Sequence, residues 1–198
     1  MNELHNKNRR TIVLLFSMTI IPFIIAWYLS GNVSWIGSGT NNGQLIIPPV
    51  MTERSELIGA DEFSAQNIKE LNGHWVLVNV LPNKDCNSLC LEAIHKTKQL
   101  RLMMNKDLVR IRRAAVIIPE INMELAKAWW KDDTRLLKLK PASSLVQKLK
   151  KIRNTNIPEG MLFLMDPLGN LMMQYDPGFD PYKVKKDLGK LLRISQIG

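Results

Sequence analysis

Apolar positions fall into two regimes along the chain. Thr11 to Leu29 (TIVLLFSMTIIPFIIAWYL) is an unbroken run without a charge, long enough for a helix to cross the ~30 Å hydrocarbon layer. Pro22 sits inside it, which membrane helices tolerate better than soluble ones. From about residue 59 the apolar stretches become short and alternate between strand and helix spacing. Phe63 to Leu71 reads as a modest helix or turn. Trp75 to Leu81 (WVLVNVL), bounded by Asn72-Gly73 and Pro82-Asn83, reads as a strand buried on both faces. Ser88 to Met104 has helical spacing through Leu89, Ile94 and Leu100, and Ala114 to Ile118 is a second buried strand ended by Pro119. A short helix is expected over Ile121 to Trp130. A longer one follows Pro141-Ala142-Ser143-Ser144, with Leu145, Val146, Leu149 and Ile152 on one side. Met161 to Met165, a turn at Asp166-Pro167-Leu168-Gly169-Asn170, and Leu171 to Tyr175 form a hairpin signal. A final helix is expected from about Pro181 to Leu192.

The order β-α-β-α…β-β-α, with its last two strands antiparallel, predicts an α/β thioredoxin-like sandwich carrying an N-terminal single transmembrane helix. Between the two regimes, Ser30 to Ile58 is rich in Gly, Ser, Asn and Pro (GSGTNNG, then IPPVMTERSE) and reads as a linker. The Pro48-Pro49 pair argues against a central strand there. The expected division is a cytoplasmic N-terminus at 1–10, an anchor at 11–29, a linker at 30–58 and a thioredoxin-like domain at 59–198.

Charge orients the anchor. Lys7, Arg9 and Arg10 precede the apolar run and no comparable basic cluster follows it closely. The positive-inside rule keeps the N-terminus in the cytoplasm and exports the rest, which in a bacterium means the inner membrane with the C-terminal domain in the periplasm. A cleaved signal peptide would show a shorter apolar core and a small-residue cleavage site; Ala-Trp-Tyr-Leu-Ser-Gly offers none. The formal net charge is +9, most of it beyond the anchor. Outside the cytoplasm that balance points to anionic headgroups or an acidic protein rather than nucleic acid.

The only two cysteines, Cys86 and Cys90, lie in WVLVNVLPNKDCNSLCLEAI, where a buried strand gives way to a helix. Unsatisfied N–H groups and the positive end of the helix dipole favour a thiolate there. A spacing of four puts both sulfurs on one helical face, or lets them close a disulfide across the first turn. Three uses stay open: redox exchange, holding a soft ion such as Cu(I), or an inert local disulfide. A disulfide closing so small a loop removes little chain entropy, so stability alone is a poor reason for the pair.

The strand, short loop and C-x-x-x-C helix, followed by the hairpin FLMDPLGNLMMQY, resemble the Sco/SenC family of membrane-anchored thioredoxin-fold factors for cytochrome c oxidase assembly. NGHWVLVNVLPNKDCNSLC takes the place of that family's strand and metal loop, and the resemblance covers roughly residues 58–195. It implies that Cys86 and Cys90 bind copper, or reduce or metallate a copper site. The partner would be an oxidase subunit or another exported thiol or copper protein. The family's third copper ligand, a histidine ahead of the hairpin's first strand, falls at or near Pro158 here. His74 begins the strand that ends near the cysteines, and His95 should point away from them. Disulfide-exchange thioredoxins carry a proline, usually cis, beside their cysteines, and Pro158 is expected to take that part. The departure shifts weight from copper delivery toward thiol–disulfide exchange, with Cys86 attacking. The alternative is a non-enzymatic copper-binding or scaffolding protein.

Other residues have structural expectations. Met161, Met165, Met172 and Met173 should mostly fill core. One of Trp129 and Trp130 should be core and the other partly exposed. Arg110, Arg112 and Arg113 should flank a strand as solvated charges, the Lys148-Lys150-Lys151-Arg153 run should be a solvated helix face, and Asp166 and Gly169 should serve their turn.

Overall fold

The computed structural model describes residues 2–31, 40–153 and 156–195, in two compact units divided after Asn41. The first unit is dominated by α1 (Asn2–Gly31). Its stretch Asn8–Leu29 is long and apolar enough to cross a membrane, and none of that stretch is buried. Ser17 Oγ donates to the Leu14 carbonyl (2.9 Å) and Thr19 Oγ1 to that of Phe16 (2.9 Å). The hydroxyls are thus satisfied within the helix, as a lipid surround requires.

The second unit is built on one seven-stranded sheet. Its strands are β1 (Gln44–Met51), β2 (Leu57–Gly59), β3 (Trp75–Leu81), β4 (Ile111–Ile117), β5 (Leu137–Pro141), β6 (Leu162–Met165) and β7 (Asn170–Tyr175), in the order β1-β7-β6-β3-β4-β5-β2. The pairs β3–β4 and β4–β5 are parallel and the other four antiparallel. The helices are α2 (Glu62–Asn67), α3 (Ser88–Met103), α4 (Met123–Ala126), α5 (Ser143–Arg153) and α6 (Pro181–Ile194). β3 is buried at every position, because helices cover both faces of the sheet. Val76 and Val78 pack with Leu145 and Leu149 of α5. Trp75 and Leu77 pack with Ala93 and Leu100 of α3 and with Val184 and Leu188 of α6. The expected thioredoxin-like sandwich is the observed one.

Several expectations are corrected. Residues expected in a linker form β1 and β2. β1 is an edge strand, where proline is tolerated, and its register against β7 shifts between Leu45 and Val50, across Pro48 and Pro49. Strand β5 was not expected: its inner Lys138 interrupts the apolar signal, yet this lysine is buried with Nζ on Asp61 at 2.8 Å. Arg113 is not a solvated charge. It lies inside β4, 4% exposed, with Nη1 on Asp133 at 2.6 Å. Arg112 pairs with Glu70, and Lys148 of the expected solvated face pairs with the buried Glu56 at 2.9 Å. Trp130 is buried and Trp129 half-buried, as expected. Met161, Met165 and Met173 are core, and Met172 packs against it.

Candidate functional site

The site sits where β3 runs out. Leu81 is the last buried strand residue, and an exposed loop leads to α3. Asn87 is the N-cap: its side-chain oxygen accepts the Cys90 N–H at 3.1 Å, one of the donors a helix start leaves unpaired. Cys90 therefore lies in the first turn and Cys86 just ahead of the cap. The two are joined by a disulfide, with Cα atoms 5.2 Å apart. Of the geometries left open by the spacing, the structure has the bridge across the first turn.

The two sulfurs sit in different surroundings. Cys90 is 3% exposed and packs with Leu81, Ile94, Ala115 and Ile117. Cys86 is half-buried against the same cluster, on which the partly buried Ile121, Met123 and Trp129 also pack. The amides and dipole of α3 stabilise negative charge at this end of the helix.

A second segment closes on the cysteine loop. Asn83 Nδ2 donates to Glu159 Oε1 at 2.8 Å. Gly160 has φ +79°, and a Cβ placed there would stand 2.8 Å from the Leu89 carbonyl oxygen. Glycine is needed on both counts, for the left-handed backbone and for the close approach. Pro158 lies in this segment, half-buried. Its expected cis bond is corrected: among the described residues the one cis peptide is Ile47–Pro48. Gly160, with its positive φ, sits at the turn between Pro158 and β6.

His95 and His74 stay apart from the pair. His95 is exposed on α3, whereas Cys90, Ile94 and Thr97 form that helix's buried face. His74 precedes β3 at the end opposite the cysteines, with Nδ1 2.8 Å from the Asn72 carbonyl. Among the described residues no group of three or more His, Cys, Asp or Glu is gathered to hold a metal. Among the described residues no histidine stands with the pair to complete a Cys2His set; two thiolates, once the disulfide is reduced, are the soft donors the site offers.

Sequence reasoning missed a buried polar network that fixes α3 to the sheet. Thr97 Oγ1 donates to Asn79 Oδ1 at 2.8 Å. Arg113 Nη2 donates to the Ile94 carbonyl at 2.8 Å and to Thr97 Oγ1 at 3.1 Å. Burial pushes the Arg113 pKa down, while Asp133 opposes that shift. The one signal in the sequence was Asn79, a polar residue inside the apolar run WVLVNVL.

The family described as transmembrane-like, thioredoxin-like, C-terminal domain matches residues 75–195, and the chain belongs to it. Among solved structures, apo Sco1 from Thermus thermophilus is similar, with a TM-score of 0.55 at 16% identity over 78% of this chain and 99% of that one. Yeast Sco1 has a TM-score of 0.51 at 14% identity over 64% of this chain and 84% of its own. At these identities the likeness is one of fold. No curated protein matches the chain in sequence.

Proposed function

We propose that this chain is a membrane-anchored, periplasm-facing assembly factor for a respiratory cytochrome oxidase, acting by thiol–disulfide exchange on a copper or cysteine site of its client. The observation that carries the reading is the asymmetry of the pair, a half-buried Cys86 ahead of the helix cap and a buried Cys90 behind it. In the reduced protein the Cys86 thiolate attacks a client disulfide, forming a mixed disulfide and releasing one client thiolate. The Cys90 thiolate then attacks Cys86 Sγ, the second client thiolate leaves, and the Cys86–Cys90 disulfide forms. Two electrons pass to the client, and an exported dithiol reductant returns the pair to its thiol form. The resemblance of the cysteine loop and hairpin to the Sco/SenC family supports an oxidase client. Lys7, Arg9 and Arg10 ahead of the apolar stretch support the bacterial inner membrane and the orientation.

A Cys90→Ser variant, reduced and expressed in full, should trap its client through Cys86 as a mixed disulfide that dithiothreitol releases. Cys86→Ser should trap far less. Equal trapping by the two, or none by either while both remain folded, contradicts the exchange reading. Copper delivery is the second reading, favoured by the two soft donors a reduced pair would supply. Stoichiometric Cu(I) on the reduced chain, lost in each serine variant, would support it.

A further inference from the structure

β1 is one of the two edges of the sheet, and it leaves apolar side chains uncovered. Ile47 is 83% exposed, Met51 74% and Leu45 45%. Such an edge ordinarily invites another strand. Here Pro48 and Pro49 supply no N–H at its middle, so an occupant must use side chains rather than a ladder. Between β1 and α5 runs an open cleft lined by Leu45, Ile47, Ile152, Lys148 and Lys151, with no carboxylate in its wall. Lys148 is anchored to Glu56 and to the Met51 carbonyl. Lys150 and Lys151 are exposed on the same helix, and among the described residues neither is within ion-pair distance of a carboxylate.

The patch thus offers apolar side chains next to lysines. A surface that is anionic outside and apolar just beneath has the matching order, and a phospholipid layer is built that way. The same chain carries α1, whose stretch Asn8–Leu29 is long and apolar enough to cross a membrane. We propose that β1 and the side of α5 that carries Lys151 dock onto the headgroup layer of an anionic phospholipid bilayer, with Leu45 and Ile47 inserted and Lys151 against the phosphates. This docking is independent of the cysteine chemistry and would hold the domain in one orientation on the membrane.

The test uses the full chain in nanodiscs of phosphatidylcholine alone, or mixed with phosphatidylglycerol, each doped with a headgroup nitroxide. The methyl signals of Leu45 and Ile47 should broaden in the anionic discs and be spared in the neutral ones. The Lys151→Glu chain should lose that broadening while its remaining spectrum stays that of the folded domain. High salt should remove it from the unsubstituted chain. Unbroadened Ile47 in anionic discs, as an acidic protein partner would leave it, overturns the proposal. So does equal broadening in both lipids, or broadening indifferent to charge reversal.

Discussion

Cys86 and Cys90 share one bond but not one environment, and that difference decides what each sulfur can do. An attacking thiolate must reach a client, so the half-buried position suits Cys86. A resolving thiolate must wait beside it, so the buried first turn of α3 suits Cys90. The pair and its place after a buried strand were legible in the sequence, because strand, breaker and helix start follow one another within a short stretch. Arg113 was not legible. A charged residue ahead of AAVII reads as a flank until the facing Asp133, twenty residues on, supplies its partner. Removing that partner leaves an uncompensated buried cation, which costs about 3–5 kcal/mol. Asp133→Ala should therefore lower stability by about that amount in denaturant unfolding, and it should loosen α3, whose Ile94 carbonyl Arg113 holds. A change below about 1 kcal/mol would show that the pair does not hold the helix.

At the scale of elements, carboxylates do much of the docking. Burial pushes the Glu56 pKa up, but hydrogen bonds from Ser144, the Glu53 amide and Lys148 outweigh it and hold the pKa below its ordinary 4.5. Asp61 follows the same pattern: burial raises it, and Lys138 with Ser64 brings it below 3.8. Glu56 ties the turn before β2 to α5, and Asp61 caps α2 while holding β5. A carboxylate depressed in the folded state gives stability that is full above its unfolded value and is lost as pH falls through its folded one. Stability should decline as pH drops below about 4.5, more steeply than in a Glu56→Gln variant. Parallel curves would remove Glu56 from the account. These ties also explain which elements escaped the sequence. β1 hid behind two prolines that only an edge strand accepts, and β5 hid behind a lysine whose charge is neutralised by a residue far away in sequence. The mostly apolar strands β3 and β6 had no such disguise, and β4 showed only its apolar half from Ala114 on.

At the scale of the molecule, a thioredoxin-like domain follows a helix able to span a membrane, and its cysteine pair stands at the C-terminal end of the central strand. The proposed function requires that this pair exchange with other thiols rather than serve as a fixed staple. The direct measurement is the reduction potential of Cys86–Cys90 in the full chain, equilibrated with glutathione or dithiothreitol buffers, with folding followed in the same samples. The account predicts reversible two-electron exchange, with the domain still folded, between about −270 and −120 mV, the span of thiol-exchange proteins. A potential below about −300 mV, or reduction only on unfolding, would make the disulfide structural and contradict the claim.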